Sequence, residues 1–269
     1  MVKDSIVDLL QSQLTRKRQQ STLAPGTTLF CDFDGPIIDV SDRYYSTYQL
    51  ALADTQATYQ AQGITLPLQV LSKKQFWHMK QNRVPDTEIA TQSGLSGPPT
   101  ETFLAHVRQI VNQPALLHQD HLQPGVRWAL NLLRARGIRL VLVTLRGQKQ
   151  ATQILHQYEL AHLFSNIRGT TDDQAAYCNS VDCKTQLLAE VMAEHPQQEL
   201  QSGSAWMIGD TEADILSGQA LGIPTIGLTC GIRSKSYLQK LKPTQVHTDL
   251  LAVAHHLLCG HHFSESWSH

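Results

Sequence analysis

From Pro124 onward, short apolar runs alternate with segments of helical periodicity, and this alternation constrains the fold more than any other feature of the chain. The runs are nearly continuous in apolar residues and brief, which is typical of strands buried on both faces of a parallel sheet. They are Ile138–Val143, Trp206–Ile208 and Thr225–Leu228. A helix is predicted before them, around 126–136, and further helices between them, around 148–163, 184–194 and 212–221. Strands separated by helices in this way predict a Rossmann-like, doubly wound α/β sheet with right-handed crossovers.

A first strand precedes this region by more than a hundred residues. Thr27–Cys31 is short and rich in β-forming residues, and it ends at Asp32. Residues 41–124 have helical periodicity and no convincing strand, with Ser41 as the predicted cap of a helix through about Gln62. Further helix starts are predicted at Thr87 and at Pro98–Glu101. The expected division is therefore an N-terminal helical extension over 1–26, an α/β core over 27–40 and 125–269, and a helical insertion over 41–124.

Composition excludes several classes of protein. The chain has 269 residues and a formal net charge of −1, so it lacks the basic footprint of a nucleic-acid-binding protein. No apolar run reaches the length of a membrane span, and the first twenty residues lack the apolar core of a secretory signal. Residues 4–20 predict an amphipathic helix, which either docks on the core or acts as a basic membrane anchor. Five cysteines are too few and too scattered for a disulfide framework, which favours a cytoplasmic location. From the charge and the lack of an apolar span, no nucleic-acid or membrane partner is expected.

Polar side chains follow the predicted strands where each strand ends. Asp32 follows the first strand, Thr144 the second and Asp210 the strand Trp206–Ile208. Ligands of open parallel sheets bind at the carboxyl ends of the strands, so these side chains should meet at one site. Asp34 comes two residues after Asp32, and Lys184 lies near the start of the helix before the Asp210 strand.

These residues resemble the motifs of the haloacid dehalogenase-like (HAD) hydrolases. The segment Phe30–Asp39, FCDFDGPIID, is similar to the first motif, and VLVT, ending at Thr144, is similar to the second. Lys184 matches the third motif, and GDTEAD over 209–214 matches the fourth. Each motif is weak alone, but four in order at predicted strand and helix ends form a specific signal. The resemblance implies that the helical insertion is the small α-helical cap of that family.

The resemblance also implies a set of catalytic roles. Asp32 would attack phosphorus and form an aspartyl-phosphate, while Asp34 would act as general acid and base. Thr144 and Lys184 would hold the phosphoryl oxygens and balance their charge. A phosphate ester resists an anionic nucleophile, so the family's Mg²⁺ would be held by Asp32, the carbonyl of Asp34 and Asp210. Asp214 would orient this metal site rather than bind the ion directly.

Asp34 separates two reaction classes within the family. Halide departure requires no proton, and the family's dehalogenases lack a carboxylate two residues after the nucleophile. Phosphatases and phosphomutases have one, because the leaving alcohol must be protonated. The presence of Asp34 therefore favours phosphoryl chemistry.

Several substrate contacts are predicted with alternatives left open. Gly35, Leu145 and Arg146 are candidate phosphate contacts, although Leu145 replaces the family's usual Asn and could contribute only its backbone. Arg146 could equally form a structural salt bridge. Lys184 lacks the Pro that often follows it, which makes Lys149 a rival.

A second group of candidate contacts lies in the insertion. The run 76–83 brings aromatic, amide and cationic groups together, with Lys80 and Arg83 as candidate substrate contacts. In the alternative interpretation this helix buries Phe76 and Trp77 and leaves both cations in solvent.

The sequence thus predicts a Mg²⁺-dependent phosphatase for a small phosphorylated metabolite, similar to phosphoglycolate phosphatases. Two alternatives remain: a phosphomutase acting on a sugar phosphate with the same residues, and a catalytically silent HAD-fold binding or regulatory protein. The oligomeric state and the identity of the metabolite are not encoded in any recognisable pattern.

Overall fold

The computed structural model describes residues 25–172, 174–194 and 205–259, and the helix predicted over 4–20 lies outside them. The strands are β1 (Thr28–Cys31), β2 (Ile38–Asp39), β3 (His121–Leu122), β4 (Arg139–Gly147), β5 (Asn166–Thr170), β6 (Ala205–Gly209), β7 (Thr225–Leu228) and β8 (Gln245–His247). The helices are α1 (Ser41–Gln60), α2 (Lys73–Gln81), α3 (Asp86–Gln92), α4 (Pro98–Ile110), α5 (Pro114–Leu117), α6 (Val126–Ala135), α7 (Gln148–Gln157), α8 (Ala175–Cys178), α9 (Val181–Ala193), α10 (Glu212–Ala220), α11 (Lys235–Lys240) and α12 (Leu250–Cys259). Across the described residues, no helix combines the length and apolar character that a bilayer crossing requires.

Six strands form one parallel sheet in the order β5-β4-β1-β6-β7-β8. From β1 the chain builds first toward β4 and β5 and then returns to build β6, β7 and β8 on the other side. The prediction of a Rossmann-like α/β sheet is therefore confirmed. The reversal beside β1 places the carboxyl ends of β4, β1 and β6 around one crevice, which is the usual ligand position in such sheets.

Alternating residues of the central strands fill two apolar layers. Leu29, Leu142 and Ile208 point to the layer shared with α6 and α12, whereas Phe30 and Met207 point to the layer covered by α9. This alternation follows from the two-residue period of a strand. Burial on both faces explains why these strands are apolar at every position.

The segment between β2 and β3 consists of α1 to α5, and its apolar residues are continuous with the layer on one face of the sheet. Tyr48 stacks on Phe76 at 4.9 Å between ring centroids and packs edge-on against Phe103 at 6.2 Å. The expectation that 41–124 lacks strands is wrong at its end, because His121–Leu122 pairs antiparallel with Ile38–Asp39. This short ribbon joins the two chain segments that connect the helices to the sheet.

Several predicted boundaries also need correction. Thr144 does not follow its strand but lies within it, because β4 continues to Gly147 through a shift of register after Val143. Ser41 is the first residue of α1 rather than its side-chain cap, and its backbone N–H donates to the Asp39 carboxylate at 2.8 Å. Strands β5 and β8 were not expected from the sequence.

Candidate active site

The candidate site is an open cavity of about 650 Å³ between the carboxyl ends of β1, β4 and β6 and the inserted helices. The structure brings nearly all sequence-predicted site residues to its wall. These are Asp32, Asp34, Lys80, Arg83, Thr144, Leu145, Arg146, Lys184 and Asp210. Gly35 lies against Asp210, and Asp214 lies behind Lys184.

Asp32 is held at the tip of β1 by backbone and side-chain contacts. Its N–H donates to the Ile208 carbonyl at 2.9 Å, which extends the pairing of β1 with β6 by one residue. Lys184 Nζ donates to Asp32 Oδ1 at 2.7 Å. Burial raises the pKa of Asp32 to about 7, against the lowering effect of the Lys184 ammonium. Asp32 therefore depends on Lys184 to remain ionised.

Lys184 reaches the site from the first half of α9, a helix whose cap is Ser180. Its buried ammonium contacts Asp32 Oδ1 at 2.7 Å and Asp214 Oδ1 at 2.8 Å. These two carboxylates raise the pKa of Lys184 above its ordinary value, although burial alone would lower it. Lys149, the rival residue, lies exposed at the start of α7. Geometry therefore places Lys184, and not Lys149, beside Asp32.

Asp210 and Asp214 complete a cluster of acidic groups. Asp210 Oδ2 accepts a hydrogen bond from the Ile232 N–H at 2.6 Å, while its Oδ1 is buried with no hydrogen-bond partner among the described residues. Asp214 accepts from the hydroxyl of Thr211 at 2.8 Å and from its N–H at 3.1 Å. Burial and the neighbouring carboxylates Asp214 and Asp32 raise the pKa of Asp210 well above its ordinary value.

These acidic residues fit a divalent cation. Asp32, Asp210 and Asp214 each offer an oxygen atom, and the three atoms lie within 4.8 Å of one another. Lys184 offsets only part of their charge, and the unpartnered Asp210 oxygen is a free ligand position. Carboxylate oxygens are the ligands that Mg²⁺ prefers. Asp214 is the least available of the three, because Lys184 and Thr211 already occupy its oxygens.

Gly35 allows the loop after β1 to pass directly against this cluster. Its φ of +96° is unfavourable for residues with a side chain, and a Cβ built on it would overlap the Asp210 carboxylate. Its carbonyl accepts a hydrogen bond from the Gln123 side chain at 2.8 Å. Both the backbone conformation and the space therefore require glycine.

We expect Gly35→Ala to abolish most activity and to lower stability by about 1–3 kcal/mol from backbone strain alone. The loss of activity follows because the new methyl group displaces Asp210. Gly222→Ala is the matched control, since Gly222 also has a positive φ, of +71°, but a Cβ there meets nothing within 4 Å. Thermal unfolding and steady-state rates of both variants test this, and equal activity losses in the two would contradict it.

Asp34 lies next to Arg146 rather than free in the cavity. Arg146 Nε donates to Asp34 Oδ2 at 3.1 Å, and its Nη2 lies 2.8 Å from Asp34 Oδ1. The same Nη2 donates to Asp120 Oδ2 at 2.7 Å. Arg146 therefore forms the salt bridge that the sequence left open as the alternative to phosphate binding.

Thr144 and Leu145 line the floor of the cavity where β4 departs from regular pairing. The Thr144 hydroxyl oxygen accepts a hydrogen bond from the Arg146 N–H at 3.0 Å. Both side chains are nearly inaccessible to solvent, so any contact with a ligand occurs inside the cavity.

Lys80 and Arg83 form the wall on the side of the inserted helices. Lys80 Nζ donates to Asp86 Oδ1 at 2.9 Å and lies 5.0 Å from the centroid of the Tyr177 ring. Lys80 is buried, contrary to the interpretation that leaves it in solvent, and burial lowers its pKa. Arg83 is half exposed, and its Nε lies 2.7 Å from Glu212 Oε1.

Sequence reasoning missed several residues of this wall. Tyr177 donates its hydroxyl to Asp86 Oδ2 at 2.6 Å. Arg233 holds Glu212 through two hydrogen bonds of 2.7 and 3.0 Å and donates to the Lys80 carbonyl at 2.9 Å. Arg233 lies in the loop after β7, five positions beyond Leu228, so the strand-end rule that led to Asp32 and Asp210 does not single it out. Tyr177 and Asp86 carry no sequence signal either.

Comparison with known proteins agrees with this geometry. The model of the family described as haloacid dehalogenase-like hydrolase matches residues 29–228. A phosphoglycolate phosphatase of Psychrobacter arcticus is 30% identical over 135 residues, which cover 50% of this chain and 55% of that protein. A phosphoglycolate phosphatase of Aliivibrio fischeri is 31% identical over 140 residues, covering 51% and 58%. The chain thus spans about half the length of the curated relatives it matches.

Solved structures show the same architecture. The crystal structure of a predicted phosphatase from Clostridium acetobutylicum superposes with a TM-score of 0.60 at 18% identity, covering 88% of this chain and 99% of that chain. At this identity the similarity demonstrates the fold alone. The match of the family model to most of the chain is more specific, and it shows that the chain belongs to the haloacid dehalogenase-like hydrolase family.

Proposed function

We propose that this chain is a Mg²⁺-dependent phosphatase that hydrolyses a small phosphorylated metabolite through an aspartyl-phosphate on Asp32. One observation carries the proposal: Asp32 lines the cavity at the tip of β1, with the Lys184 ammonium 2.7 Å from one of its oxygens. The curated relatives named phosphoglycolate phosphatases support the reaction class and make phosphoglycolate a candidate substrate.

The chain supplies the groups that a two-step phosphoryl transfer needs. In the first step a carboxylate oxygen of Asp32 bonds to phosphorus, and the bond from phosphorus to the substrate oxygen breaks. Asp34 gives that oxygen a proton. In the second step Asp34 takes a proton from water, which attacks the phosphorus of the aspartyl-phosphate and releases inorganic phosphate. Lys184 and the hydroxyl of Thr144 hold the phosphoryl oxygens, with the backbone at Leu145 as a further contact.

Asp32, Asp210 and the backbone carbonyl of Asp34 are the proposed ligands of Mg²⁺. When bound, the ion supplies positive charge that reduces the repulsion between Asp32 and the phosphate. Asp214 keeps Lys184 in place through its 2.8 Å contact and fixes the loop at Thr211. Asp214 therefore orients the site without being needed as a ligand.

The inserted helices supply the other end of the proposed substrate site. Lys80 and Arg83 come from the inserted segment and line the same cavity as Asp32, so they would contact the part of the metabolite beyond its phosphate. In this proposal 41–124 is a cap over the core formed by 27–40 and 125–269, with 1–26 as an extension. A cytoplasmic location belongs to the same proposal and is supported by the free thiols of Cys31, Cys178, Cys183 and Cys230.

Removal of the metal tests the proposal directly. We expect phosphate release from p-nitrophenyl phosphate to vanish after exhaustive EDTA treatment and to return with Mg²⁺. Ca²⁺ should inhibit, because its larger and looser coordination shell displaces Asp32. Full activity in the chelated protein would contradict the metal requirement.

Product analysis separates this function from its alternatives. A phosphatase releases inorganic phosphate from a metabolite, whereas a phosphomutase returns the phosphoryl group to a sugar phosphate and releases almost none. Protein with Mg²⁺ that hydrolyses no ester across a metabolite panel would instead favour the binding or regulatory protein.

A further inference from the structure

Three buried charged side chains beside the cavity, which the proposed reaction does not use, form a network with Asp34. Arg43 Nε donates to Asp120 Oδ1 at 2.8 Å, and Arg146 Nη2 donates to Asp120 Oδ2 at 2.7 Å. Arg146 also holds Asp34 through contacts of 2.8 and 3.1 Å, and Arg43 Nη2 lies 3.8 Å from Asp34 Oδ2. The side chains of Arg43, Asp120 and Arg146 are at most 3% exposed, and that of Asp34 is 16% exposed.

The network is balanced in charge and rigid. Two arginines face two aspartates, so no net charge is buried, and Arg43 is fixed further by donating to the Val111 carbonyl at 2.7 Å. Because the guanidinium group is planar, its paired contacts fix both the distance and the orientation of the carboxylate that it binds. Asp34 is the most exposed member and lines the cavity, so the other three side chains set its orientation.

The three residues that surround Asp34 come from three different parts of the chain. Arg43 lies in the first turn of α1, Asp120 comes directly before β3, and Arg146 lies near the end of β4. The two ends of the inserted helical segment are therefore tied to the strand that carries Arg146.

We propose that Arg146 is a positioning residue that holds Asp34 in the orientation for proton transfer, and that Asp120 and Arg43 hold Arg146 in turn. This inference rests on the proposed function, in which Asp34 is the acid and base. It assigns Arg146 to Asp34 rather than to the substrate phosphate. The two donors of Arg146 that face Asp34 and Asp120 are occupied, which leaves Nη1 as its one buried nitrogen without a partner among the described residues. Phe33 covers the guanidinium group at 5.3 Å and holds it in this plane.

If Arg146 positions Asp34, its loss should slow a chemical step and leave substrate binding nearly unchanged. We expect Arg146→Ala to lower kcat on an alkyl phosphate about 10²-fold while KM stays within a factor of about two, because a misplaced acid or base slows proton transfer. With p-nitrophenyl phosphate, whose leaving group needs no proton, the first step should remain fast and the second should slow. Phosphorylated enzyme should then accumulate, as seen by intact mass, to the level found in Asp34→Asn.

Two further variants keep the test decisive if Arg146→Ala folds poorly. Arg146→Lys retains the positive charge but not the fork, and Asp120→Asn removes the charge that anchors Arg146 without touching Asp34. Both should show the same accumulation to a smaller extent. Arg168→Ala is the matched control, because it removes an arginine from the neighbouring strand β5 whose ion pair with Glu194 is exposed. Its rates should be unchanged.

Several distinct results would overturn the inference. A rise in KM with unchanged kcat would make Arg146 a phosphate-binding residue. Equal losses on both esters without accumulation, or full activity in Arg146→Lys and Asp120→Asn, would make the network purely structural. If Asp34→Asn turns over normally, the proposed function fails and the inference fails with it. If Asp34→Asn accumulates phosphorylated enzyme and Arg146→Ala does not, the inference alone fails.

Discussion

Asp32→Asn is expected to abolish turnover on every ester and to carry no phosphoryl group at any time. The amide oxygen is a much weaker nucleophile than the carboxylate, so the covalent step is lost rather than slowed. The substitution also removes the negative charge beside Lys184, whose 2.7 Å ion pair becomes a hydrogen bond to a neutral amide, while Asp214 remains its charged partner. Steady-state assays at high enzyme concentration together with intact-mass measurements test both parts of this expectation.

Asp34→Asn provides the matched contrast, since it makes the same chemical change two residues away. Asparagine at this position still accepts a hydrogen bond from Arg146 but cannot exchange a proton, a role worth about 10²–10⁴-fold in rate. On p-nitrophenyl phosphate this variant should form the phosphorylated enzyme and then stall. A stable mass increase of one phosphoryl group is expected in Asp34→Asn and none in Asp32→Asn.

The opposite pattern would refute the assignment. Phosphorylated protein in Asp32→Asn would place the nucleophile elsewhere, and unimpaired hydrolysis by Asp34→Asn would remove its role as acid and base. Neither result would change the assignment of the fold, because both side chains line the cavity and do not belong to the apolar layers.

The strands found from the sequence and those missed differ in their place in the sheet. β1, β4, β6 and β7 lie inside the sheet, so burial on both faces requires apolar residues and leaves a clear pattern. β5 and β8 are the two edges, and their sequences NIRGT and QVH are mostly polar because their side chains are only partly buried. An edge strand needs less apolar surface, and its signal is correspondingly weak.

The same reasoning explains which site residues could be found. Asp32 and Asp210 follow strand ends, where a parallel sheet gathers ligand-binding groups, so their position along the chain reveals their position in space. Arg43 and Asp120 are 77 positions apart and meet only because β2 and β3 pair at the base of the inserted helices. Nothing in local periodicity predicts that pairing. The apolar pattern also ends the second strand at Val143, whereas β4 extends to Gly147 and includes Arg146.

Lys184→Met is expected to lower stability by about 3–5 kcal/mol and activity by about 10³-fold. Lys184 is buried between Asp32 and Asp214, and removal of one partner from a buried charge cluster leaves the others uncompensated. The pKa of Asp32, already raised to about 7 with Lys184 present, rises further without the ammonium. In the metal-free variant the nucleophile is then more often protonated at neutral pH, and a phosphoryl-binding cation is lost as well.

The loss of stability should depend on pH in a defined direction. The folded variant retains a proton on Asp32 that the unfolded chain releases above its ordinary pKa of 3.8. The folded state therefore binds more protons, and stability falls as pH rises between about 4 and above 7. Thermal unfolding of the metal-free parent and variant at pH 5 and pH 8 should show the larger difference at pH 8. A difference that is constant or smaller at pH 8 would contradict this account.

Lys149→Met makes the identical substitution at the rival lysine, which is exposed at the start of α7. It should leave unfolding temperature, pH dependence and rates unchanged, because an exposed ammonium is compensated by solvent and not by a catalytic carboxylate. If Lys149→Met lost activity and Lys184→Met did not, the third family motif would have to be assigned to Lys149. The geometry argues against that exchange, since of the two lysines only Lys184 has its Nζ in contact with Asp32, where the ammonium lowers a carboxyl pKa that burial raises.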